Sequence, residues 1–169
     1  SQAVDADFHM VSAVQAGKEA LTKIVGLARA NEALFKKTVL FIDEIHRWNK
    51  AQQDGLLPHV ESGLLILIGA TTENPSFEVI SALLSRTRVF VLKSLTPEDL
   101  GKLIDRALTD KNYGLGNAKR AISADAKELL IRLSGGDARI LLNALELAIE
   151  QFKSPKITAE IIKEVFQTK

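Results

Sequence analysis

The sequence predicts an α/β protein in two parts: a three-layer parallel-sheet unit over residues 1–94, then an all-helical bundle over residues 95–169. Two observations carry this. Up to about Ser94, helical stretches alternate with short, near-continuous apolar runs. Apolar runs without polar alternation suit strands buried on both faces of a parallel sheet, and strand–helix alternation layers helices on that sheet. From Leu95 onward the pattern is helical.

In the first part, Val39–Ile42 is the clearest strand, preceded by Lys36-Lys37. Leu64–Ile68 is a second, opened by Ser62-Gly63 and closed by Gly69, and Val89–Leu92 is a third. Phe8–Val14 is a further, weaker candidate. Helices are expected over Glu19–Leu34, Asn49–Val60 and Phe77–Leu84. Gly17 and Gly26 sit in the first helical stretch, where each glycine costs roughly 1 kcal/mol relative to alanine.

In the second part, Thr96-Pro97-Glu98-Asp99 starts a helix. Threonine caps, proline fits the first turn, and the acids face the positive end of the dipole. The run Asn112–Gly116 ends that helix, Ser123 caps the next, and Gly135-Gly136 stops it. Asp137 opens a helix with Leu141, Leu142, Leu145, Ala148, Ile149 and Phe152 on one face. Ser154-Pro155 breaks it and Thr158 caps the last helix.

Composition narrows the class without naming a function. With 46% hydrophobic and 25% charged residues, the chain resembles an ordinary globular domain. It holds 22 basic and 21 acidic residues, so nucleic acid could be contacted only through a local patch or through assembly. Aromatic residues make up 5%, too few for a base-stacking platform. The absence of cysteine removes disulfides and thiolate metal sites and fits a reducing cytosol. There is no apolar run of membrane-spanning length and no secretory-signal pattern.

Four pieces carry chemistry. Val39–Ile42 runs into Asp43-Glu44, placing two carboxylates at the carboxyl edge of a parallel sheet, where such folds bind ligands. For nucleotide hydrolysis Asp43 would hold Mg²⁺ through water and Glu44 would polarise the attacking water. The bland alternative is a turn with two solvated acids. Downstream, Gly69-Ala70-Thr71-Thr72-Glu73-Asn74 ends a strand in hydroxyl and amide groups. Thr72 or Asn74 could hydrogen-bond the water or a γ-phosphate, although both types also favour ordinary turns. In Ser85-Arg86-Thr87-Arg88, Arg86 could stabilise phosphate charge on a neighbouring subunit, or simply mark a solvated helix end. Arg139 stands in the first turn of a helix, where the dipole mildly disfavours a cation.

In order, these pieces resemble the AAA+ ATPases: Walker B at Asp43-Glu44, sensor 1 near Thr72, an arginine finger at Arg86 and sensor 2 at Arg139. The block from Phe41 through Asp43-Glu44-Ile45-His46-Arg47-Trp48-Asn49-Lys50 to Gly69-Ala70-Thr71-Thr72-Glu73-Asn74-Pro75-Ser76-Phe77 is more particular. It resembles the RarA/MgsA family, whose eukaryotic member is the Werner-helicase-interacting ATPase. Trp48 stands where that family usually shows phenylalanine. The resemblance implies a partial AAA+ core followed by a helical lid, using ATP and Mg²⁺. It also implies a DNA-dependent ATPase of replication-associated recombination and repair that remodels stalled forks. Its partners would be DNA, further copies in a tetrameric or hexameric ring, and replication or repair proteins such as single-strand-binding protein. Its place would be the cytoplasm, at the nucleoid.

The family's phosphate loop, ending in Gly-Lys-Ser/Thr, has no counterpart in these residues, since Gly17-Lys18 is followed by Glu19. This chain alone is therefore expected neither to bind ATP tightly nor to hydrolyse it, and the Val39–Ile42 strand is expected to have one unpaired flank. Alternatives are a clamp-loader or RuvB-like subunit, or a catalytically silent oligomerisation or regulatory module. A DExH-box helicase reading of Asp43–His46 fails because a helical bundle follows instead of a second sheet domain. His46 and His59 lack carboxylate or cysteine partners at ligand spacing and read as structural or exposed. Arg47 and Lys50 could face DNA or a neighbouring subunit, or form a solvated helix start.

Overall fold

The computed structural model describes residues 5–15 and 17–167. They fall into two compact units, one ending at Val91 and one beginning at Leu92.

The first unit is built on three parallel strands in the order β1 (Ala6–Ser12), β2 (Lys37–Asp43), β3 (Ile66–Gly69). The sheet register aligns Phe8 with Val39 and Ile66, and Met10 with Phe41 and Ile68. The side-chain period of two then separates the faces. Val11, Leu40, Ile42 and Leu67 point to a face packed against Ile24, Val25 and Ala28 of helix α1 (Lys18–Ala33). Ile45, Trp48, Leu56 and Leu83 complete that core. Phe8, Met10, Ile66 and Ile68 lie on the other face and are exposed. One helical layer is thus present, and a second is absent among the described residues.

Two expectations are corrected here. Val39–Ile42 has no unpaired flank: β2 is the central strand, with β1 on one side and β3 on the other. Val89–Leu92 is not a strand. Its side chains are 53%, 75%, 88% and 91% exposed, and no described strand lies beside it. A β run needs a neighbour to take its backbone groups, whatever its own propensity.

The helices expected over Asn49–Val60 and Phe77–Leu84 are each divided. The first becomes α2 (Lys50–Asp54) and α3 (Leu57–Glu61), the second α4 (Pro75–Glu78) and α5 (Ser81–Leu84). Gln53, only 1% exposed, ties the pieces together. Its Nε2 donates to the carbonyls of Trp48 (2.9 Å) and Glu78 (3.0 Å), and its Oε1 accepts from the Ile80 amide (3.0 Å). A second polar stitch fastens α1 to the sheet: Asn31 Nδ2 donates to Asp7 Oδ2 (2.8 Å) and Thr38 Oγ1 (3.0 Å).

The second unit packs α6 (Pro97–Thr109), α7 (Ala124–Leu133), α8 (Ala138–Gln151) and α9 (Ala159–Gln167) around Leu100, Ile104, Leu130, Leu141, Leu145 and Ile162. Each expected cap from Thr96 to Asp137 forms. Thr96 and Asp99 make a reciprocal capping box, Ser123 Oγ accepts from the Ala126 amide, and Asp137 Oδ1 accepts from those of Arg139 and Ile140. Gly135 and Gly136 have φ of 59° and 89°, the left-handed conformation that reverses the chain between α7 and α8. The bundle also carries a parallel pair of two-residue strands, β4 (Ala121–Ile122) and β5 (Lys156–Ile157), which anchors Ile157 in the core.

Two outcomes follow from these contacts. Gln53→Leu leaves one buried carbonyl, one part-buried carbonyl and a part-buried amide without these partners, so it should lower stability by about 2–4 kcal/mol in urea unfolding. The carboxyl of Asp99 is held below its ordinary range by the Thr96 hydroxyl and amide, and that of Asp137 by the Ile140 and Arg139 amides. A depressed folded value means stability present above the unfolded value and lost as pH falls through the folded one. Helical circular dichroism should therefore decay below the usual carboxylate range, and the decay should be shallower in Asp99→Asn and Asp137→Asn.

Candidate functional site

The site forms where β2 and β3 end. Their ladder extends one step past Gly69: the Ala70 amide donates to the Ile42 carbonyl at 2.9 Å, and the Ala70 carbonyl accepts from the Ile45 amide at 3.0 Å. Gly69 makes room for this, because a Cβ there would lie 3.1 Å from Ile45 Cδ1. The chain between Asp43 and Ile45 must turn sharply, and Glu44 takes the left-handed conformation (φ 56°, ψ 45°). For a residue with a Cβ this costs on the order of 1 kcal/mol, the kind of strain that gathers at functional sites.

The turn puts Glu44 beside the residues following β3. Thr72 Oγ1 donates to Glu44 Oε2 across a long 3.4 Å, and His46 Nε2 lies 3.2 Å from the same oxygen. His46 Nδ1 is 2.8 Å from Thr71 Oγ1, which accepts from the Glu73 amide at 3.0 Å. Asp43 shares the open sheet face with Val39 and Phe41; it is half-buried, and its carboxylate has no partner among the described residues.

Of the two residues expected near Glu44, the structure brings Thr72 into contact. Asn74 uses its Oδ1 to accept from the Ser76 amide (3.0 Å) at the start of α4. Arg86 folds back on its own chain, donating to the Ala82 carbonyl (2.9 Å) and Ser85 Oγ (3.0 Å) and pairing with Glu61 (2.7 Å). Both partners of that pair are exposed, so it holds Arg86 weakly. Arg139 belongs to the second unit. Its guanidinium is exposed on a concavity of about 750 Å³ that Lys93, Gly136 and Asp137 also line.

His46 also joins this cluster, touching Glu44, a residue two positions away. Spacing did hold the clue, since a short helical turn after a strand can bring such neighbours together. Its second partner, Thr71, is 25 positions away and gives no local signal. No cluster of three or more His, Cys, Asp or Glu able to hold a metal occurs among the described residues. A lone free carboxylate suits Mg²⁺, which keeps several waters and takes one or two protein carboxylates plus phosphate oxygens.

Comparison with known proteins shows the family. Residues 2–95 match the model of the ATPase family associated with various cellular activities (AAA), and residues 116–169 match the AAA C-terminal domain. The chain belongs to the AAA family. It is 43% identical over 169 residues to Replication-associated recombination protein A of Haemophilus influenzae, covering 98% of this chain and 38% of that protein. Similarity to the Escherichia coli K12 protein of the same name is 46% over 143 residues, covering 85% and 32%. The ATPase WRNIP1 of Dictyostelium discoideum is 44% identical over 162 residues, covering 96% and 18%. The AAA chain thus spans little more than a third of these relatives at most, and its resemblance to the RarA/MgsA family is borne out.

Among solved structures, the Thermotoga maritima RuvB Holliday junction branch migration motor matches with a TM-score of 0.71 and 27% identity, over 96% of this chain and 53% of that one. No helix among the described residues is long and apolar enough to cross a membrane.

Proposed function

We propose that this chain is the water-activating and phosphate-sensing part, with the lid, of a DNA-dependent AAA+ ATPase that remodels stalled replication forks during recombination and repair. The observation that carries the reading is the convergence of Glu44 and Thr72 at the carboxyl edge of the sheet, beside Asp43, whose carboxylate has no partner among the described residues. The family and the named relatives supply the ATPase and recombination parts.

Glu44 Oε2 accepts from Thr72 and faces His46 Nε2, leaving Oε1 to accept a proton from a water. A fixed carboxylate aimed at a water raises that water's nucleophilicity without itself moving. Thr72 orients the carboxylate and is close enough to hydrogen-bond the same water or a phosphate oxygen; Asn74 has its amide hydrogens left for that end of the site. Asp43 would hold Mg²⁺ through water, and the ion would neutralise phosphate charge. Arg86 acts on the site of a neighbouring subunit in a tetrameric or hexameric ring after releasing Glu61, and Arg139 binds nucleotide within its own subunit. DNA is engaged by the assembled ring, alongside replication or repair proteins such as single-strand-binding protein, in the cytoplasm at the nucleoid.

In a full-length protein carrying this chain, Glu44→Gln should keep ATP binding and lose turnover by roughly 10²- to 10⁴-fold, measured as phosphate release. Turnover above about a third of wild type refutes the general base. Mixed with Arg86→Ala subunits, the Glu44→Gln subunits should recover part of the activity; no recovery removes Arg86 from the neighbouring site.

A second reading, a silent oligomerisation or regulatory module, is favoured for the chain alone. A triphosphate needs a cradle of backbone amides and a lysine, and no Gly-Lys-Ser/Thr loop occurs in the 169 residues. Calorimetry of the 169-residue chain with ATP and Mg²⁺ should show no tight binding. Micromolar affinity would place a phosphate site in residues described here as structural.

A further inference from the structure

We propose that His46 is a positioning residue for Glu44, its ring held against the carboxylate by a chain of polar contacts that starts at the backbone of Glu73. The inference rests on the reading of Glu44 as the base. The polarity of that chain follows from donor and acceptor chemistry. The Glu73 amide can only donate, and it donates to Thr71 Oγ1 at 3.0 Å. His46 Nε2 lies 3.2 Å from Glu44 Oε2, and because an ionised carboxylate offers only lone pairs, that approach favours a proton on Nε2. A neutral ring then offers Nδ1 as an acceptor, and the hydroxyl proton of Thr71 completes the chain at 2.8 Å. This assigns the ring the Nε2–H tautomer, with Thr71 on one side and the Glu44 carboxylate on the other.

This arrangement is more than core filling. The His46 side chain is 9% exposed, while Glu44 is 32% exposed, so the ring is the sheltered member that anchors the accessible one. Glu44 also needs an anchor, because its left-handed backbone leaves a flexible side chain on a sharp turn. The Thr72 hydroxyl, at 3.4 Å, is too long to supply it alone. His46 further links Glu44 to Thr71, next to Thr72, so that the base and the hydroxyl of the adjacent strand end are held as one constellation. A carboxylate released from it would sample positions on the order of 1 Å away, which costs about 10²-fold in rate when the reacting geometry is strict.

Two measurements test this. In a full-length protein carrying the chain, His46→Ala should lower kcat about 10- to 100-fold with the KM for ATP unchanged. His46→Gln, whose Nε2 hydrogen can replace that of the ring, should recover most of the loss. With Glu44→Gln inactive, wild-type kcat in His46→Ala, or equal loss in His46→Gln and His46→Ala, overturns the role of His46 and leaves the base intact. An active Glu44→Gln removes the base and the role of His46 with it. In the 169-residue chain, ring ¹⁵N spectra should show His46 as the Nε2–H tautomer, released toward a mixture by Glu44→Ala and by Thr71→Val. A mixed-tautomer ring in the wild type, unmoved by either substitution, also overturns it.

Discussion

Two backbone hydrogen bonds at Ala70 hold the candidate site together. One continues the β2–β3 ladder to Ile42, and the other catches the chain that has just left β2, at Ile45. Between those points lie only Asp43 and Glu44, so the backbone position of both acids is decided by main chain, and side-chain contacts act only on where the carboxylates point. The clasp closes because Gly69 has no side chain to meet Ile45. The left-handed turn at Glu44 is the strain that the closure imposes, offset by the buried packing of Ile45 in the core.

Local chemistry was legible in the sequence; distant pairing was not. The caps at Thr96, Ser123 and Asp137 each depend on a hydrogen bond to an amide two or three residues away, so three letters suffice to read them. The strands β2 and β3 were legible for a similar reason, as apolar runs bounded by charge or glycine. The breaks inside α2–α3 and α4–α5 were not, because Gln53 joins groups up to 27 residues apart. A buried glutamine looks like a surface one on paper. Val89–Leu92 failed in the opposite direction: its composition is that of a strand, but strand formation belongs to a pair of segments. The candidate acids were found from their place after an apolar run, whereas the contact of His46 with Thr71 was not legible, because what a histidine's two nitrogens meet is set by distant chain.

The open face of the sheet fits the same logic. Strands apolar on both sides are built to be covered on both sides. Here Phe8, Met10, Ile66 and Ile68 remain exposed, and Asp43 lies at the end of the row that includes Val39 and Phe41. The relatives, which are more than twice as long as this chain, have room for a further layer. A layer there would lower the local dielectric around Asp43 and strengthen any interaction of its carboxylate with a cation. In the proposed reading, the acids alone would carry the chemistry only in part, and the water exclusion that gives it force would come from covering this face.

The two arginines are set up differently, and the difference bears on how each could act. Arg86 is already spoken for by a carbonyl, a hydroxyl and Glu61, all at the surface. Exposed pairs of this kind are worth about 0–1 kcal/mol, so a phosphate can outcompete them without unfolding anything. Arg139 occupies the positive end of α8, where its own helix works against it by some tenths of a kcal/mol. The Asp137 carboxylate, held ionised by the Ile140 and Arg139 amides, supplies the compensating negative charge. Because Asp137 spends its Oδ1 on those amides, it neutralises the helix end without gripping the guanidinium. In the proposed roles, Arg86 is a cation that must be released before it acts, and Arg139 is one kept ready.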